Sequence, residues 1–137
     1  MYARIMVPVD LAHLDRLDKA LATAAILAKA NGSTIAYLSL VDTAPSSVAP
    51  SPEAYDRKLE AFAAAQGEKF GVETEAITIP TPDPRVEAHH RIVEATADFS
   101  TDLVVMQTRA PGVMDALWHS NGEYVANHAK CSVMLIR

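Results

Sequence analysis

Apolar residues along the chain form short runs that alternate with longer amphipathic segments. Four of these runs have the length and composition of buried strands. They span Ala3–Val9, Thr34–Val41, Leu103–Met106 and Val133–Ile136, and the alternating pattern of Val72–Ile79 predicts a fifth strand. Short apolar runs bounded by turn residues are typical of parallel strands that are covered on both faces. The pattern therefore predicts a largely buried parallel sheet.

Apolar spacing of three to four residues predicts a helix between each pair of strands. The four predicted helices span Leu14–Asn31, Glu53–Phe70, Pro84–Phe99 and Asn121–Ala129. Gly32 and Gly71 are expected to end the first two helices. Asp83 is placed to cap the third, with Pro84 at the first helical position. The turn Ser120-Asn121-Gly122 is expected to open the fourth.

Regular alternation of strand and helix predicts the α/β class, as a three-layer, doubly wound (Rossmann-like), five-stranded parallel sheet with four helices. A chain of 137 residues is long enough for one domain, 1–137, with a substantial core. Ligands of such sheets bind outside the carboxyl ends of the strands, where the strand order reverses. The first and fourth strands are expected to flank that crevice, with ends at Pro8-Val9-Asp10 and Met106-Gln107-Thr108.

Net charge and cysteine content indicate which partners the protein can bind and in which cellular compartment it functions. The net charge of −5 gives no basic surface for nucleic acid or anionic lipid, although a free nucleotide needs only a local positive pocket. The lone Cys131 excludes an internal disulfide and fits a reducing compartment. The N-terminus does not resemble a signal peptide, and no apolar run approaches the roughly 20 residues of a membrane span. These features predict a cytoplasmic protein without a membrane partner.

Two stretches are candidates for ligand contact, and each has a structural alternative. At the start of the fourth predicted helix, Ser120 and Asn121 are placed to offer N–H groups to a phosphate, or else only to cap the helix. Asp10 is placed to accept hydrogen bonds from a ribose or base, or to help start the first helix. His89 and His90 point about 100° apart on a helix, so we expect solvated side chains rather than metal ligands.

Both ends of the chain resemble the universal stress protein family. Residues 3–10, ARIMVPVD, match a family opening of the form K-I-L-V-P-V-D, and residues 102–106, DLVVM, together with 125–137, VANHAKCSVMLIR, match its closing half. The resemblance covers the whole chain and implies the family's Rossmann-like fold and homodimerisation through the C-terminal strand.

The nucleotide-binding branch of that family carries G-x-x-G, nine residues, then G-[ST]. In this chain Gln107, Ala110 and His119 stand at the glycine positions, with eight residues between the last two. A strict comparison suggests a member that does not bind ATP. A subgroup with A-S-H-R-P followed by L-L-G-S-N is nevertheless similar without a gap, and Ser120 and Asn121 are kept. The His119 side chain either blocks close approach of the backbone to a phosphate or binds the phosphate itself.

The resemblance also implies a binding site for ATP or AMP and a role for each matching residue. Val9 and Asp10 would lie by the adenine and ribose, the Leu40 backbone would bond the base, residues 106–109 would pass under the sugar, and residues 119–121 would meet phosphate. Arg109 would pair with a phosphate or remain solvated. The full set is Pro8, Val9, Asp10, Leu40, Met106, Gln107, Thr108, Arg109, His119, Ser120 and Asn121. Whether Mg²⁺ accompanies the nucleotide stays open.

The sequence therefore predicts one of two functions. The first is an adenine-nucleotide-binding regulatory module of the stress response, with at most slow ATP hydrolysis, because no glycine-rich Lys-Ser/Thr loop and no evident Mg²⁺ carboxylate pair is found. The second is a homodimeric interaction protein without nucleotide. A hydrolase or transferase using His119 and Ser120 is least favoured, since adjacent residues rarely align as base and nucleophile.

Overall fold

A computed structural model of the protein describes residues 1–108 and 116–137, with residues 116–120 described by their backbone alone. The strands are β1 (Arg4–Pro8), β2 (Thr34–Val41), β3 (Glu73–Pro80), β4 (Leu103–Gln107) and β5 (Ser132–Ile136). The α-helices are α1 (Asp18–Asn31), α2 (Pro52–Phe70), α3 (Pro84–Asp98) and α4 (Ala116–His128), and a 3-10 helix spans Leu11–Arg16. None of the described helices combines the length and apolar character that a membrane span requires.

All five strands are parallel and lie in the order β3-β2-β1-β4-β5. The order reverses between β1 and β4, which confirms the predicted doubly wound α/β fold and the two strands expected at the reversal. Pairing of β1 with β2 stops at Pro8 opposite Leu38, whereas β2 pairs with β3 as far as Val41 opposite Pro80. β2 therefore continues beyond the end of β1.

Alternate side chains of each strand pack in two separate hydrophobic cores, one on each face of the sheet. Ile5 and Val7 of β1 pack in the core beneath α1 and α2, whereas Met6 packs in the core beneath α3 and α4. All three are fully buried. Because both faces are covered by helices, β1, β2 and β4 are largely apolar, whereas the edge strand β3 alternates between polar and apolar residues.

The first predicted helix is in fact two elements. Asp10 accepts the Ala12 N–H at 2.9 Å and starts the 3-10 helix. His13 then departs from helical geometry, with φ −136° and ψ 43°, and α1 begins only at Asp18. The prediction of one helix from Leu14 was wrong because apolar spacing does not distinguish a 3-10 turn from the first turn of an α-helix.

The predicted start of the fourth helix was also wrong. α4 begins at Ala116, so Asn121 and Gly122 lie inside it and form neither a turn nor a cap. A Cβ at Gly122 would lie 3.3 Å from Leu135 Cδ2 and 3.6 Å from Thr108 Cγ2. The glycine therefore serves close packing of α4 on the sheet, which local sequence does not distinguish from a turn.

The other helix ends are mostly as predicted. Gly32 and Gly71 follow α1 and α2 with φ of 67° each, in the left-handed conformation expected of C-terminal glycines. Pro84 is the first residue of α3, also as predicted. Asp83 occupies the N-cap position with φ 48°, but its side chain makes no capping hydrogen bond. Its predicted capping role was therefore wrong, because this backbone conformation differs from the extended one that capping residues adopt.

A buried hydrogen-bond chain joins the carboxyl ends of β1 and β2 to α2. The Tyr55 hydroxyl donates to Ser39 Oγ at 3.1 Å, and Ser39 Oγ donates to the Val9 carbonyl at 2.8 Å. The Tyr55 oxygen also accepts the Leu11 N–H at 3.1 Å. Tyr55 and Ser39 are 6% and 1% exposed. This chain, which we call the Tyr55 network, fixes the backbone where β1 turns into the 3-10 helix.

A second buried tyrosine contrasts with the first. Tyr37 is fully buried and packs edge-on against Phe62, with ring centroids 5.2 Å apart. Within the described part of the chain its hydroxyl has no hydrogen-bond partner. Burial raises the pKa of Tyr37 to about 12. The hydroxyl therefore lowers the stability of the fold instead of supporting it.

We predict that Tyr37→Phe raises the free energy of unfolding by about 1 kcal/mol, because it removes an unsatisfied buried hydroxyl. Tyr55→Phe is the matched control and is expected to lower it by about 2 kcal/mol, because it breaks the Tyr55 network. Chemical denaturation at neutral pH measures both. Since the folded pKa of Tyr37 exceeds the ordinary value of 10.0, its ionisation weakens the native protein as pH rises from 10 towards 12, and the advantage of Tyr37→Phe grows there. A loss of stability in Tyr37→Phe contradicts this account.

Candidate functional site

A cleft of about 440 Å³ opens at the carboxyl ends of β1 and β2. Its volume lies within the range of small-molecule sites. Its apolar lining comes from Pro8, Val9, Leu38, Leu40, Val41, Val48, Ala88 and Ile92. Its polar lining includes Asp10, His13, Asp42, Ser46, Ser47, Tyr55, Asp83 and Arg85. We call this feature the cleft.

Four residues predicted from sequence, Pro8, Val9, Asp10 and Leu40, are brought together in the cleft. They come from two neighbouring strand ends, where the fold class places ligand contacts. The same lining contains His13, Tyr55 and Arg85, which the sequence did not single out as ligand residues. Arg85 lies in the first turn of α3. Nothing in the local sequence indicates that the start of this helix lies at the cleft.

Both carboxylate oxygens of Asp10 have local partners. Oδ1 accepts the Ala12 N–H, and Oδ2 lies 2.9 Å from His13 Nδ1. The two side chains are 37% and 43% exposed, so they stand at the rim of the cleft. Asp10 therefore starts the 3-10 helix, one of its two predicted roles, and also orients the His13 ring, while keeping a solvent-facing surface for a ligand.

The peptide group of Leu40 faces the side of the sheet that β1 leaves uncovered. The Leu38 carbonyl accepts from Val9 N at 2.8 Å, whereas the Val41 carbonyl accepts from Thr81 N at 2.7 Å, on the opposite side. Since peptide groups alternate along a parallel strand, Leu40 points in the same direction as Leu38. The pairing of β1 with β2 has already ended there, and the Val9 carbonyl accepts from Ser39 Oγ. Among the described residues, the N–H and C=O of Leu40 therefore have no strand partner, and they face the cleft.

The proline- and serine-rich segment after β2 forms one wall of the cleft, through Ser46, Ser47 and Val48. Asp42 Oδ1 accepts the Ala44 N–H at 2.9 Å and starts this loop. Ser46 Oγ accepts the N–H groups of Val48 and Ala49, both at 3.3 Å. These bonds fold the segment against the strand ends.

The predicted site residues of β4 do not line the cleft. Met106 is fully buried in the core under α3 and α4. Gln107 Nε2 donates to the Ile136 carbonyl at 3.1 Å, and Thr108 Oγ1 donates to the same carbonyl at 2.8 Å. The last two side chains therefore bond to β5, on the side away from β1.

The remaining predicted residues are Arg109, which lies outside the described residues, and three residues of α4. His119 and Ser120 lie in the first turns of α4, and Asn121 is 2% exposed in the same helix. Because α4 begins at Ala116, helical hydrogen bonding uses the backbone N–H groups of Ser120 and Asn121. They are not the free donors of a helix N-terminus that the sequence predicted.

His89 and His90 lie outside the cleft and form an aromatic cluster on α3 and α4. His90 Nδ1 is 3.0 Å from the Tyr124 hydroxyl, and the Tyr124 and His128 rings are stacked with centroids 3.9 Å apart. The His89 ring meets Tyr124 edge-on at 4.5 Å. His90 is exposed, as expected of a solvated side chain, and it also contacts Tyr124. Among the described residues, no group of three or more His, Cys, Asp or Glu is placed to hold a metal ion.

Comparison with solved structures places the fold among known proteins. The universal stress protein from Archaeoglobus fulgidus has a TM-score of 0.73 and 21% identity, with all of both chains covered. A structure of the universal stress protein from the same organism in complex with dAMP has a TM-score of 0.70 and 20% identity, covering 99% of this chain and 98% of that one. At these identities the comparison establishes the shared fold.

Sequence comparison agrees over the full length. The chain is 27% identical over 148 aligned positions to universal stress protein G of Salmonella typhimurium, with both sequences fully covered. The model of the universal stress protein family matches residues 1–137. The chain therefore belongs to the universal stress protein family.

Proposed function

We propose that the protein binds an adenine nucleotide in the cleft and acts as a regulatory module of the stress response. The observation that carries this proposal is the unpaired peptide group of Leu40. Adenine presents an amino donor beside ring-nitrogen acceptors, so one peptide with both its C=O and N–H free matches the edge of this base. The prediction that Leu40 bonds the base through its backbone is thus supported by the strand register.

The rest of the cleft suits the other parts of a nucleoside. Val9, Leu40 and Ile92 supply apolar lining for the base, and Asp10 with His13 supplies polar groups at the rim for ribose hydroxyls. Relatives of the same fold have been solved in complex with dAMP, cAMP and AMP. Contacts from Met106, Gln107, Thr108, Arg109, His119, Ser120 and Asn121 stay predictions, as does any Mg²⁺.

We propose that the bound nucleotide controls shape or partner affinity and is turned over slowly or not at all. The sequence lacks the glycine-rich Lys-Ser/Thr loop with which many nucleotide hydrolases hold phosphates. With a free nucleotide as ligand and one cysteine in 137 residues, the compartment we propose is the cytoplasm.

Filling the cleft is the direct test of this assignment. Ala12 lines the cleft and is exposed, so Ala12→Trp adds bulk at the site without disturbing the core. We expect the affinity for AMP to fall at least about tenfold, which corresponds to about 1.4 kcal/mol. Isothermal titration calorimetry with AMP and adenosine, after native mass spectrometry for co-purified nucleotide, measures the change.

Ala30→Trp is the matched control, because Ala30 is also exposed but lies two residues before Gly32, at the end of α1 remote from the cleft. It is expected to bind as the unchanged protein does. Equal affinity in both variants would place the ligand elsewhere. Absence of binding to the folded, unchanged protein at millimolar ligand would remove the proposal.

The second candidate function, a homodimeric interaction protein, has its own observation. In the described part of the chain, β5 pairs with β4 alone and so forms one edge of the sheet. Met134 and Leu135 on this strand are 37% and 39% exposed. An apolar open edge favours pairing with another strand. We propose that a second copy of the chain covers it, with or without nucleotide in the cleft.

Met134→Asp is expected to shift the protein from dimer to monomer at micromolar concentration, because it places a charge in the proposed interface. Leu135 is less suitable, since it also contacts α4 near Gly122. Ile26→Asp is the control, because Ile26 is 69% exposed on α1 and does not belong to the β5 edge. Analytical ultracentrifugation reads the result. A Met134→Asp protein that stays fully dimeric would exclude this edge as the interface.

A further inference from the structure

The described lining of the cleft has an excess of negative charge. Asp10, Asp42 and Asp83 supply three carboxylates, against one guanidinium, that of Arg85. The chain as a whole carries −5. A ligand entering the cleft therefore meets more negative than positive charge on the described lining.

Two of these carboxylates are fixed by hydrogen bonds that leave their charge in place. Asp10 bonds the Ala12 N–H and His13, and Asp42 bonds the Ala44 N–H. The backbone donors are neutral, so they orient the carboxylates without compensating their charge. Asp83 makes no capping bond to α3, and its exposed side chain stands at the mouth of the cleft beside Arg85.

Repulsion between this lining and a phosphate chain grows with each added phosphate charge. Like charges repel strongly at contact distances, and the repulsion extends over about 30 Å at 0.01 M salt but only about 8 Å at 0.15 M. Arg85 can pair with one phosphate group. A triphosphate presents more anionic oxygens than this one guanidinium can compensate.

From these charges we infer that the cleft selects adenine ligands of low charge, namely the nucleoside and its cyclic or simple monophosphate, over the triphosphate. This inference rests on the proposed function and specifies its ligand. The apolar lining and the Leu40 peptide provide affinity for the nucleoside part, which all these ligands share. The carboxylates then discriminate by charge.

Calorimetric titrations with adenosine, cAMP, AMP and ATP test the selectivity, in EDTA so that each ligand carries its own charge. At about 10 mM salt we expect adenosine and cAMP to bind at least tenfold more tightly than ATP. Raising the salt to about 150 mM should strengthen ATP binding by screening the repulsion, and should leave adenosine binding nearly unchanged. A site built to attract phosphate would show the opposite salt dependence.

Asp83→Asn and Asp42→Asn each remove one negative charge from the lining. Asparagine tolerates the left-handed backbone at position 83, so the fold should persist. Each variant is expected to lower the ratio of the ATP to the adenosine dissociation constant about threefold at low salt. Glu68→Gln is the matched control, because Glu68 is exposed near the C-terminal end of α2, beside the amino end of β3, and should leave the ratio unchanged.

The outcomes separate the two proposals. Tighter binding of ATP than of adenosine, or ATP binding that weakens with salt, overturns the charge selectivity while leaving nucleotide binding intact. An unchanged ratio in both aspartate variants also overturns it. Absence of binding by all four ligands overturns the proposed function, and the selectivity with it.

Discussion

The Tyr55 network is the constraint on which the cleft depends. Where β1 ends, its backbone must leave the sheet while β2 continues, and the peptide groups exposed at that point need partners. Ser39 and Tyr55 supply two of them, at Val9 and Leu11. The network thereby provides hydrogen-bond partners for the Val9 carbonyl and the Leu11 N–H. The Leu40 peptide is left open to the cleft. The open Leu40 peptide follows from the difference in length between two neighbouring strands.

The same turn sets the chemistry of the rim. Asp10 must accept the Ala12 N–H to start the 3-10 helix, and in doing so it holds His13 at its other oxygen. The loop after β2 and the start of α3 close the cleft with further aspartates. A structure that stabilises its turns with carboxylates accumulates negative charge at the strand ends. This charge distinguishes the cleft from one built to attract a phosphate chain.

The sheet was predictable from sequence because four strands are short apolar runs and β3 alternates regularly, and β2 matched its predicted bounds, Thr34–Val41. Gly32 and Gly71 were predictable as helix ends because a left-handed residue there favours glycine. Gly122 misled the prediction, because the contact that requires a small residue comes from Leu135, which is distant in sequence. The prediction that Asp83 caps α3 was wrong because Asp83 has the residue type of a cap but not the backbone conformation of one.

The candidate site was predictable only in part. Strand ends identify the level of the sheet at which ligands bind, and this rule found Asp10, whereas Leu40 was predicted from the family resemblance. Applied to β4, the same rule selected Gln107 and Thr108, whose side chains bond to β5. The position of a strand end predicts the edge of the sheet at which a residue lies. It does not predict which neighbouring strand the side chain contacts. Tyr55 and Arg85 reach the cleft from helices, and no local signal in the sequence marks that approach.

The central claim is that an adenine ligand occupies the cleft beside Leu40. Amide chemical-shift mapping by NMR during titration with adenosine tests it most directly, because it reports on each backbone N–H separately. The account predicts saturable shifts concentrated at residues 9–13, 40–42, 46–48 and 83–85, with the Leu40 amide among the largest. Shifts confined to β5 or to the amino ends of the strands, or an unchanged spectrum at millimolar adenosine, would contradict it.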